Sequence, residues 1–214
     1  MRKKLCLAML AVAVATIAHA QFDFSSTRVD VGANYSMYKG DFQKSTPGAK
    51  LRVSVPYSNK AALGLAFTYG IPVKFPSSVA HTGGGSIPSE IVYNFKTITL
   101  DADYFFGGEK EEGFSFNANA GAGLVLVSYK EKLKGTIPSG EDAIDQLEPG
   151  HQSGFTLNFG LGTQYAIGKI KPFANAGIAL PANKVNDQYV VNVIPMHFTF
   201  NAGVRIALGG GSND

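Results

Sequence analysis

Residues 155–167 read FTLNFGLGTQYAI, a stretch in which large apolar side chains alternate with small or polar ones. The odd positions from Phe155 to Ile167 are apolar except for Thr163, whereas the even positions hold Thr, Asn, Gly, Gln and Ala. Successive side chains of a β-strand point to opposite faces, so a period of two indicates a strand with one apolar and one polar face. This stretch therefore predicts a strand and not a helix.

Seven further stretches alternate in the same way. They cover residues 27–37, 49–55, 61–70, 97–104, 114–126, 173–180 and 194–208. Tyr93 and Phe95 fall on the opposite phase from the run between Ile98 and Tyr104, which indicates a β-bulge near residues 95–97. Pro47 and Gly48 form a turn signal before the second strand. The sequence thus predicts eight strands of about ten residues, a length typical of transmembrane barrel strands.

The predicted connections alternate between long and short. The long ones are expected at 39–48, 71–92, 129–153 and 181–192. An even number of strands with elaboration on one rim is typical of a membrane barrel. We predict an all-β fold, an eight-stranded antiparallel up-and-down transmembrane β-barrel. Its long loops are expected to be extracellular and both termini periplasmic.

The first twenty residues have the pattern of a secretory signal peptide. Three basic residues, Arg2, Lys3 and Lys4, precede an apolar run and the small-residue pair Ala18 and Ala20. We expect a signal peptide at 1–20, a barrel domain at 21–208 and a short flexible tail at 209–214. Without the signal, 16 of the 19 basic residues remain against 16 acidic ones, so the charge gives no support for nucleic-acid binding.

The single cysteine, Cys6, lies in the predicted signal peptide. No disulfide framework and no cysteine metal site are therefore expected in the barrel domain.

Alternation alone does not say which face is outside, because a secreted lipocalin-type barrel has eight strands with apolar side chains pointing inward. Two observations favour the membrane. The apolar face of the predicted strands carries no Asp, Glu, Lys or Arg. The opposite face is mainly Gly, Ala, Ser, Thr and Asn, whereas a water-facing strand surface would carry many Lys and Glu. We therefore expect the apolar face to contact lipid and the polar face to fill the lumen.

The last predicted strand ends in a motif formed by Asn201, Gly203, Ile206 and Leu208. With it, the chain resembles the small eight-stranded outer-membrane barrels of Gram-negative bacteria, the OmpA/OmpX type. The resemblance implies that this motif is a signal for the barrel-assembly machinery, although Leu208 replaces the usual aromatic residue and six residues follow it. It also implies contact with outer-membrane lipid and lipopolysaccharide, and closure of the barrel favours a monomer.

Seven charged residues interrupt the polar face of the predicted strands. They are Arg28, Asp30, Lys50, Arg52, Asp101, Asp103 and Arg205. The first, second and last strands become neighbours when the barrel closes, so four of these residues, Arg28, Asp30, Arg52 and Arg205, are expected to meet. Buried ions are retained only when paired, and eight strands enclose barely enough room for side chains. The sequence therefore predicts a lumen plugged by paired charges.

Two alternatives remain open. A narrow channel for ions or small apolar compounds would show a conductance that Arg52→Ala or Arg205→Ala enlarges. A lipid-modifying enzyme would need a catalytic set on the lipid side, where no Ser, His and acid occur together, although Asp101 with Asp103, or His197, are conceivable acid–base groups. We expect neither catalytic nor metal-binding residues, and no cofactor.

The loops offer two weaker candidates. The acidic residues between Glu141 and Glu148 lack the spacing of an EF-hand and indicate a solvated loop. Lys130, Lys132 and Lys134 are expected either to touch lipid phosphates or to alternate on a strand that extends above the membrane. The expected function is a non-enzymatic structural or surface-interaction role carried by the long loops.

Overall fold

The computed structural model describes residues 26–39, 44–182 and 196–208. Its ten strands are β1 (Arg28–Tyr38), β2 (Ser45–Pro56), β3 (Ala61–Gly70), β4 (Val73–His81), β5 (Gly85–Phe106), β6 (Glu112–Leu133), β7 (Ala143–Ile144), β8 (Gly150–Ile167), β9 (Ile170–Pro181) and β10 (His197–Ala207). Within these ranges, no helix combines the length and apolar character that a membrane-crossing helix requires. The predicted signal peptide, the tail at 209–214 and most of the loop at 181–192 lie outside the described residues.

Eight of the strands form a closed antiparallel barrel. Hydrogen-bonded neighbours follow the order β3, β2, β1, β10, β9, β8, β6, β5, and β3 pairs with β5 to close the ring. The first strand lies between the second and the last, so that Asp30 stands opposite Arg52 on one side and Arg205 on the other. The predicted eight-stranded up-and-down barrel is confirmed.

The two rims of the barrel differ, as the sequence predicts. Three short connections, at residues 57–60, 107–111 and 168–169, lie at one rim together with the start of β1 and the end of β10. We call this rim the turn end. Gly107, Gly108 and Gly168 have positive φ, which allows the chain to reverse within a few residues. The opposite rim, the loop end, carries the other connections, of which the one after β1 spans residues 39–44 and is shorter than the predicted loop at 39–48.

The long loop predicted at 71–92 is mostly β-strand. β4 and the first half of β5 form a hairpin with Ser77 opposite Ser89. β6 continues to Leu133 and pairs with this part of β5, so part of the predicted loop at 129–153 is also strand. The resulting sheet of β4, the first half of β5 and the end of β6, which we call the extension, projects beyond the loop end. The two-residue strand β7 pairs with β4 at residues 80–81. Pro76 suggested a loop, but proline is tolerated on an edge strand such as β4.

Two further local predictions are corrected. β5 pairs with β6 without interruption from Ser89 to Phe106, so there is no bulge at 95–97. Tyr93 and Phe95 share the inward face with Asp101, and their apolar character reflects what they pack against and not a change of register. Pro47 and Gly48 lie inside β2 opposite Tyr35 and Asn34, and do not form a turn.

The barrel is apolar outside and polar inside. Leu65, Phe159 and Phe200 are 56%, 47% and 47% exposed, whereas Asp30 and Arg205 are 3% and 4% exposed. The alternative of a secreted barrel with an apolar interior is therefore wrong. Such a continuous apolar exterior is unusual for a protein surrounded by water.

Candidate functional site

The centre of the lumen is an ion cluster around Asp30. Arg205 binds both carboxylate oxygens of Asp30, with its Nε and Nη2 each at 2.8 Å. Arg52 approaches the same carboxylate from the other side, with Nη1 at 3.2 Å from Oδ2. Asp30 and both arginines are buried. Strand order alone brings these three residues together, because β2 and β10 flank β1.

The cluster continues across the lumen to β5. Arg52 reaches Asp101 with Nε at 2.7 Å and Asp103 with Nη1 at 2.9 Å. Arg205 also contacts Asp103, at 3.2 Å. Arg52 must pass over β3 to make these contacts, and Gly64 on β3 leaves the necessary room: a Cβ there would lie 2.4 Å from Nε of Arg52. Each arginine is therefore shared between at least two carboxylates, which suits a planar guanidinium.

A second group of charges lies nearer the turn end, around Glu109. Arg28 Nη2 lies 2.5 Å from Glu109 Oε2, and Lys171 Nζ lies 2.8 Å from Oε1. Gln164 joins the two groups, because its amide donates to Glu109 and its carbonyl accepts from Arg205, both at 2.8 Å. Burial pushes the pKa of the Glu109 carboxyl up, but Arg28, Lys171 and Gln164 outweigh it and hold that pKa below its usual range.

The sequence did not predict the roles of Glu109 and Lys171. Both lie between predicted strands, yet Lys171 is the second residue of β9. Its partner in the register is Arg205, which marks it as inward-facing. For Glu109 no sequence signal exists, because a turn residue has no alternation to follow.

Lys50 is the predicted lumen residue that stands apart. It lines a cavity of about 90 Å³ together with Asp101, Thr68 and Asn119. It forms no salt bridge with any described residue, whereas the other six predicted charges are each paired. Threonine, asparagine and charged residues line most of the cavity, so the space is polar and suits a few water molecules.

A buried apolar cluster lies at the loop end of the barrel. Its buried members, which we call the apolar cap, are Val73, Tyr93, Phe95, Val125 and Val127. Tyr38 stacks on Phe95 with a ring distance of 5.0 Å and also contacts the ring of His197 at 4.7 Å. The sequence signal for the cap was the phase of Tyr93 and Phe95, which was interpreted as a bulge.

The structure gives the conceivable acid–base groups other partners. Asp101 and Asp103 are bound by arginines, and His197 is buried against Tyr38. In the acidic loop, Glu141 contacts His81 Nδ1. No group of three or more His, Cys, Asp or Glu that could hold a metal ion occurs among residues 26–39, 44–182 and 196–208.

The four residues of the terminal motif lie on or directly after β10. Asn201 faces inward and accepts a hydrogen bond from Asn34 at 2.9 Å. Gly203 lies opposite Gly32 of β1, and a Cβ on Gly203 would be only 2.2 Å from the carbonyl oxygen of Val31. Ile206 and Leu208 are exposed on the outer side. The seam between β1 and β10 is therefore especially close at this glycine pair.

The geometry defines a closed eight-stranded barrel with an apolar exterior and an interior filled by ion pairs. Solved structures with this fold include Neisserial surface protein A, NspA, with 17% identity, a TM-score of 0.55, and coverage of 85% of this chain and 96% of that chain. The attachment invasion locus protein Ail of Yersinia pestis, in complex with the heparin analogue sucrose octasulfate, has 16% identity, a TM-score of 0.51, and coverage of 85% and 98%.

No family model matches the chain, and no curated protein sequence matches it. At these identities the likeness is one of fold: the chain has the fold of the small eight-stranded outer-membrane β-barrels.

Proposed function

We propose that this chain is an integral outer-membrane barrel with a non-enzymatic structural or surface-interaction role and a plugged lumen. The outward face of the barrel is the observation that carries the proposal. On β6, the outward-facing residues from Phe114 to Leu126 are uncharged. On β5, the first outward-facing charged residue met on going from Ile98 towards the loop end is Lys96. Thirteen residues at about 3.4 Å each, tilted by about 40°, span roughly 30 Å, which matches the hydrocarbon core of a bilayer.

Aromatic residues at both edges of this band support a membrane location. Phe114 contacts Tyr165 with ring centroids 4.7 Å apart at the turn end, and Tyr104 contacts Phe106 at 5.8 Å. Tyr69 lies at the other edge, beside Lys96. Aromatic belts at the two interfaces are typical of outer-membrane barrels.

The arrangement of the connections supports an orientation with the loop end extracellular and both termini periplasmic. Bacterial barrels of this type have short periplasmic turns and longer extracellular loops. The turn end has connections of two to five residues, and the first strand begins there and the last strand ends there.

The ion network and the apolar cap argue against the channel alternative. A conduit would have to pass the shared arginines at mid-depth and then the packed rings of Tyr38 and Phe95. The cavity of about 90 Å³ between them has the volume of about three waters at liquid density.

A surface-interaction role fits the ordered extension at the loop end. Thr82 donates its backbone N–H to the Asp142 carbonyl at 3.1 Å, and Glu131 accepts from the Leu147 N–H at 2.9 Å, so the connection after β6 is attached to the hairpin. The similar structure Ail is described as an attachment invasion locus protein and was solved with a heparin analogue. By analogy, the extension is the part of this chain suited to contact molecules outside the cell.

We also propose that the terminal motif is read by the barrel-assembly machinery. Leu208 and Ile206 are exposed at the end of the last strand, where an assembly factor can reach them before the seam closes.

Cysteine labelling in intact cells tests location and orientation together. Cys6 is the only natural cysteine, so single cysteines can be placed at Thr136, which is exposed at the loop end, or at Asn59, which is exposed at the turn end. A membrane-impermeant maleimide should label Thr136→Cys on intact cells and Asn59→Cys only after the outer membrane is permeabilised. The reverse pattern would refute the orientation, and absence of the protein from the outer-membrane fraction would refute the location.

A further inference from the structure

The outer face of the extension carries five lysines just above the apolar band. Lys74 on β4 and Lys130 on β6 stand opposite each other across Val92 of β5. The next outward-facing pair, farther from the apolar band, places Lys132 opposite Glu90. In the other direction, at the edge of the band, Lys96 stands opposite Leu126. We call this set the lysine face; its members are Lys74, Lys96, Lys130, Lys132 and Lys134.

The acidic residues nearby leave most of this charge unneutralised. Glu90 is the acid that faces the same side, and its two oxygens each lie 3.2 Å from a lysine, Lys74 and Lys134. Lys96, Lys130 and Lys132 are exposed and form no salt bridge within the described ranges. Glu131 points to the opposite face, where it is buried and hydrogen-bonded by Ser89 and by the Leu147 N–H. The two faces of the extension thus differ in charge, and the cationic face is the outer one.

The depth of these lysines matches the lipid headgroup region. Lys96 is the next outward residue after Ile98 and is paired in register with Leu126 and Tyr69. Lys130 lies four residues beyond Leu126 on the same outward face, which places it about 10 Å further along the membrane normal. Because these side chains project sideways from the barrel wall, they point at neighbouring lipid and not into the lumen.

We propose that the lysine face binds the phosphate groups of lipopolysaccharide in the outer leaflet. This inference rests on the proposed outer-membrane location. Phosphate is recognised by several cations held at fixed spacing, and each surface lysine strengthens attraction to anionic lipid by about five-fold. The position directly above the apolar band favours a phosphorylated lipid over a soluble polyanion, since the acyl chains and phosphates of one molecule then meet the band and the lysines together.

The test compares two triple variants with the same change in charge. In one, Lys96, Lys130 and Lys132 are replaced by Gln; Lys74 and Lys134 are kept because they neutralise Glu90. In the matched control, the exposed turn-end residues Lys60, Lys110 and Lys169 are replaced by Gln. Each protein is purified as a folded barrel in detergent with chelator present, and binding of diphosphorylated lipid A is titrated by native mass spectrometry.

We expect the lysine-face variant to bind diphosphorylated lipid A at least tenfold more weakly than the unchanged protein, and the turn-end variant to bind as the unchanged protein does. Fully dephosphorylated lipid A should bind all three proteins equally weakly. Equal binding of the two lipid forms, or an equal loss in both variants, would overturn the inference. So would displacement of the lipid by equimolar inorganic pyrophosphate, which would indicate a general anion site.

Failure of the proposed function is distinguishable from failure of this inference. Insertion of each protein into vesicles is followed by the difference in gel migration between boiled and unboiled samples. A protein that inserts but shows no preference for lipid phosphate refutes the lysine-face inference alone. A protein that never forms a heat-modifiable barrel refutes the proposed function and, with it, this inference.

Discussion

Arg205 of the last strand donates two hydrogen bonds of 2.8 Å to the carboxylate of Asp30 on the first strand, directly across the seam between β1 and β10. The ring centroids of Phe105 and Phe173 each lie 5.9 Å from the guanidinium carbon of Arg205. The pair is therefore shielded from water as well as matched in geometry, and it connects the first and last strands of the chain.

Replacement of Asp30 by Ala should destabilise the barrel strongly. The change leaves two buried arginines to share Asp101 and Asp103, and removing one partner of a buried ion pair costs about 3–5 kcal/mol. The protein contains no tryptophan, so unfolding by urea in lipid vesicles is best followed by circular dichroism. Glu90→Gln is the control: the lysines that pair with Glu90 are exposed, so this change should leave the free energy of unfolding nearly unaltered. A smaller effect for Asp30→Ala than for the control would contradict this account.

The two barriers in the lumen predict how conductance depends on substitution. The unchanged protein should be silent in planar bilayers, because the ion cluster and the apolar cap each block the path. Arg52→Ala and Phe95→Ala should each remain closed, since the other barrier is intact, whereas the double variant should conduct. Gel migration before and after boiling confirms that each variant is inserted. If Phe95→Ala alone conducts as well as the double variant, the ion cluster is not a barrier.

Gly203→Ala should impair closure of the barrel. The added methyl would sit 2.2 Å from the Val31 carbonyl oxygen, so the seam between β1 and β10 would have to open locally. We expect slower folding into vesicles and a loss of about 1–3 kcal/mol in the free energy of unfolding. Ala202→Val, one residue earlier on the lipid-facing side, adds volume without meeting the seam and should be tolerated. Equal effects of the two changes would rule out the seam as the cause.

We predict that the barrel loses stability in acid because the carboxyl of Glu109, in a turn-end connection, becomes protonated. Burial raises its pKa, but Arg28, Lys171 and Gln164 more than compensate, so the pKa in the folded protein lies below that in the unfolded chain. The ionised Glu109 carboxylate therefore stabilises the fold fully above its pKa in the unfolded chain, which is about 4.3. This stabilisation is lost as the pH falls through the lower pKa of the folded protein. Glu109→Gln should cost roughly 1–3 kcal/mol at pH 7, and urea titrations should show the two proteins converging towards pH 3. A difference that is independent of pH would contradict the ionic role.

Much of the barrel was predictable because residues alternate between the exterior, which is apolar, and the interior, which is polar. The run from Phe155 to Ile167 follows that rule except at Thr163, and it forms most of β8. The inward charges were predictable for the same reason, since Arg52 or Asp101 on a two-residue period can only face the lumen. Proximity of β1, β2 and β10 followed from closure of an even-stranded ring.

Other features depend on tertiary contacts that no local pattern encodes. Tyr93 and Phe95 broke the expected polarity of the inner face because they pack against Val127 and Tyr38, not because the register shifts. The β4–β5 hairpin was hidden by Pro76, which an edge strand accommodates. Glu109 reaches the lumen from a turn, and only the folded chain shows that Arg28 lies beside it.

Because the barrel closes between β1 and β10, a stable barrel requires that both strands be present. Asp30 and Arg205 are separated by 175 positions, so a fragment that stops before β10 lacks the arginine that binds both carboxylate oxygens of Asp30, although Arg52 is still present. Such a fragment would present an unpaired β1 edge, the kind of surface that promotes aggregation. The Arg205–Asp30 pair, which stabilises the finished barrel, is therefore absent from any polypeptide that lacks β10.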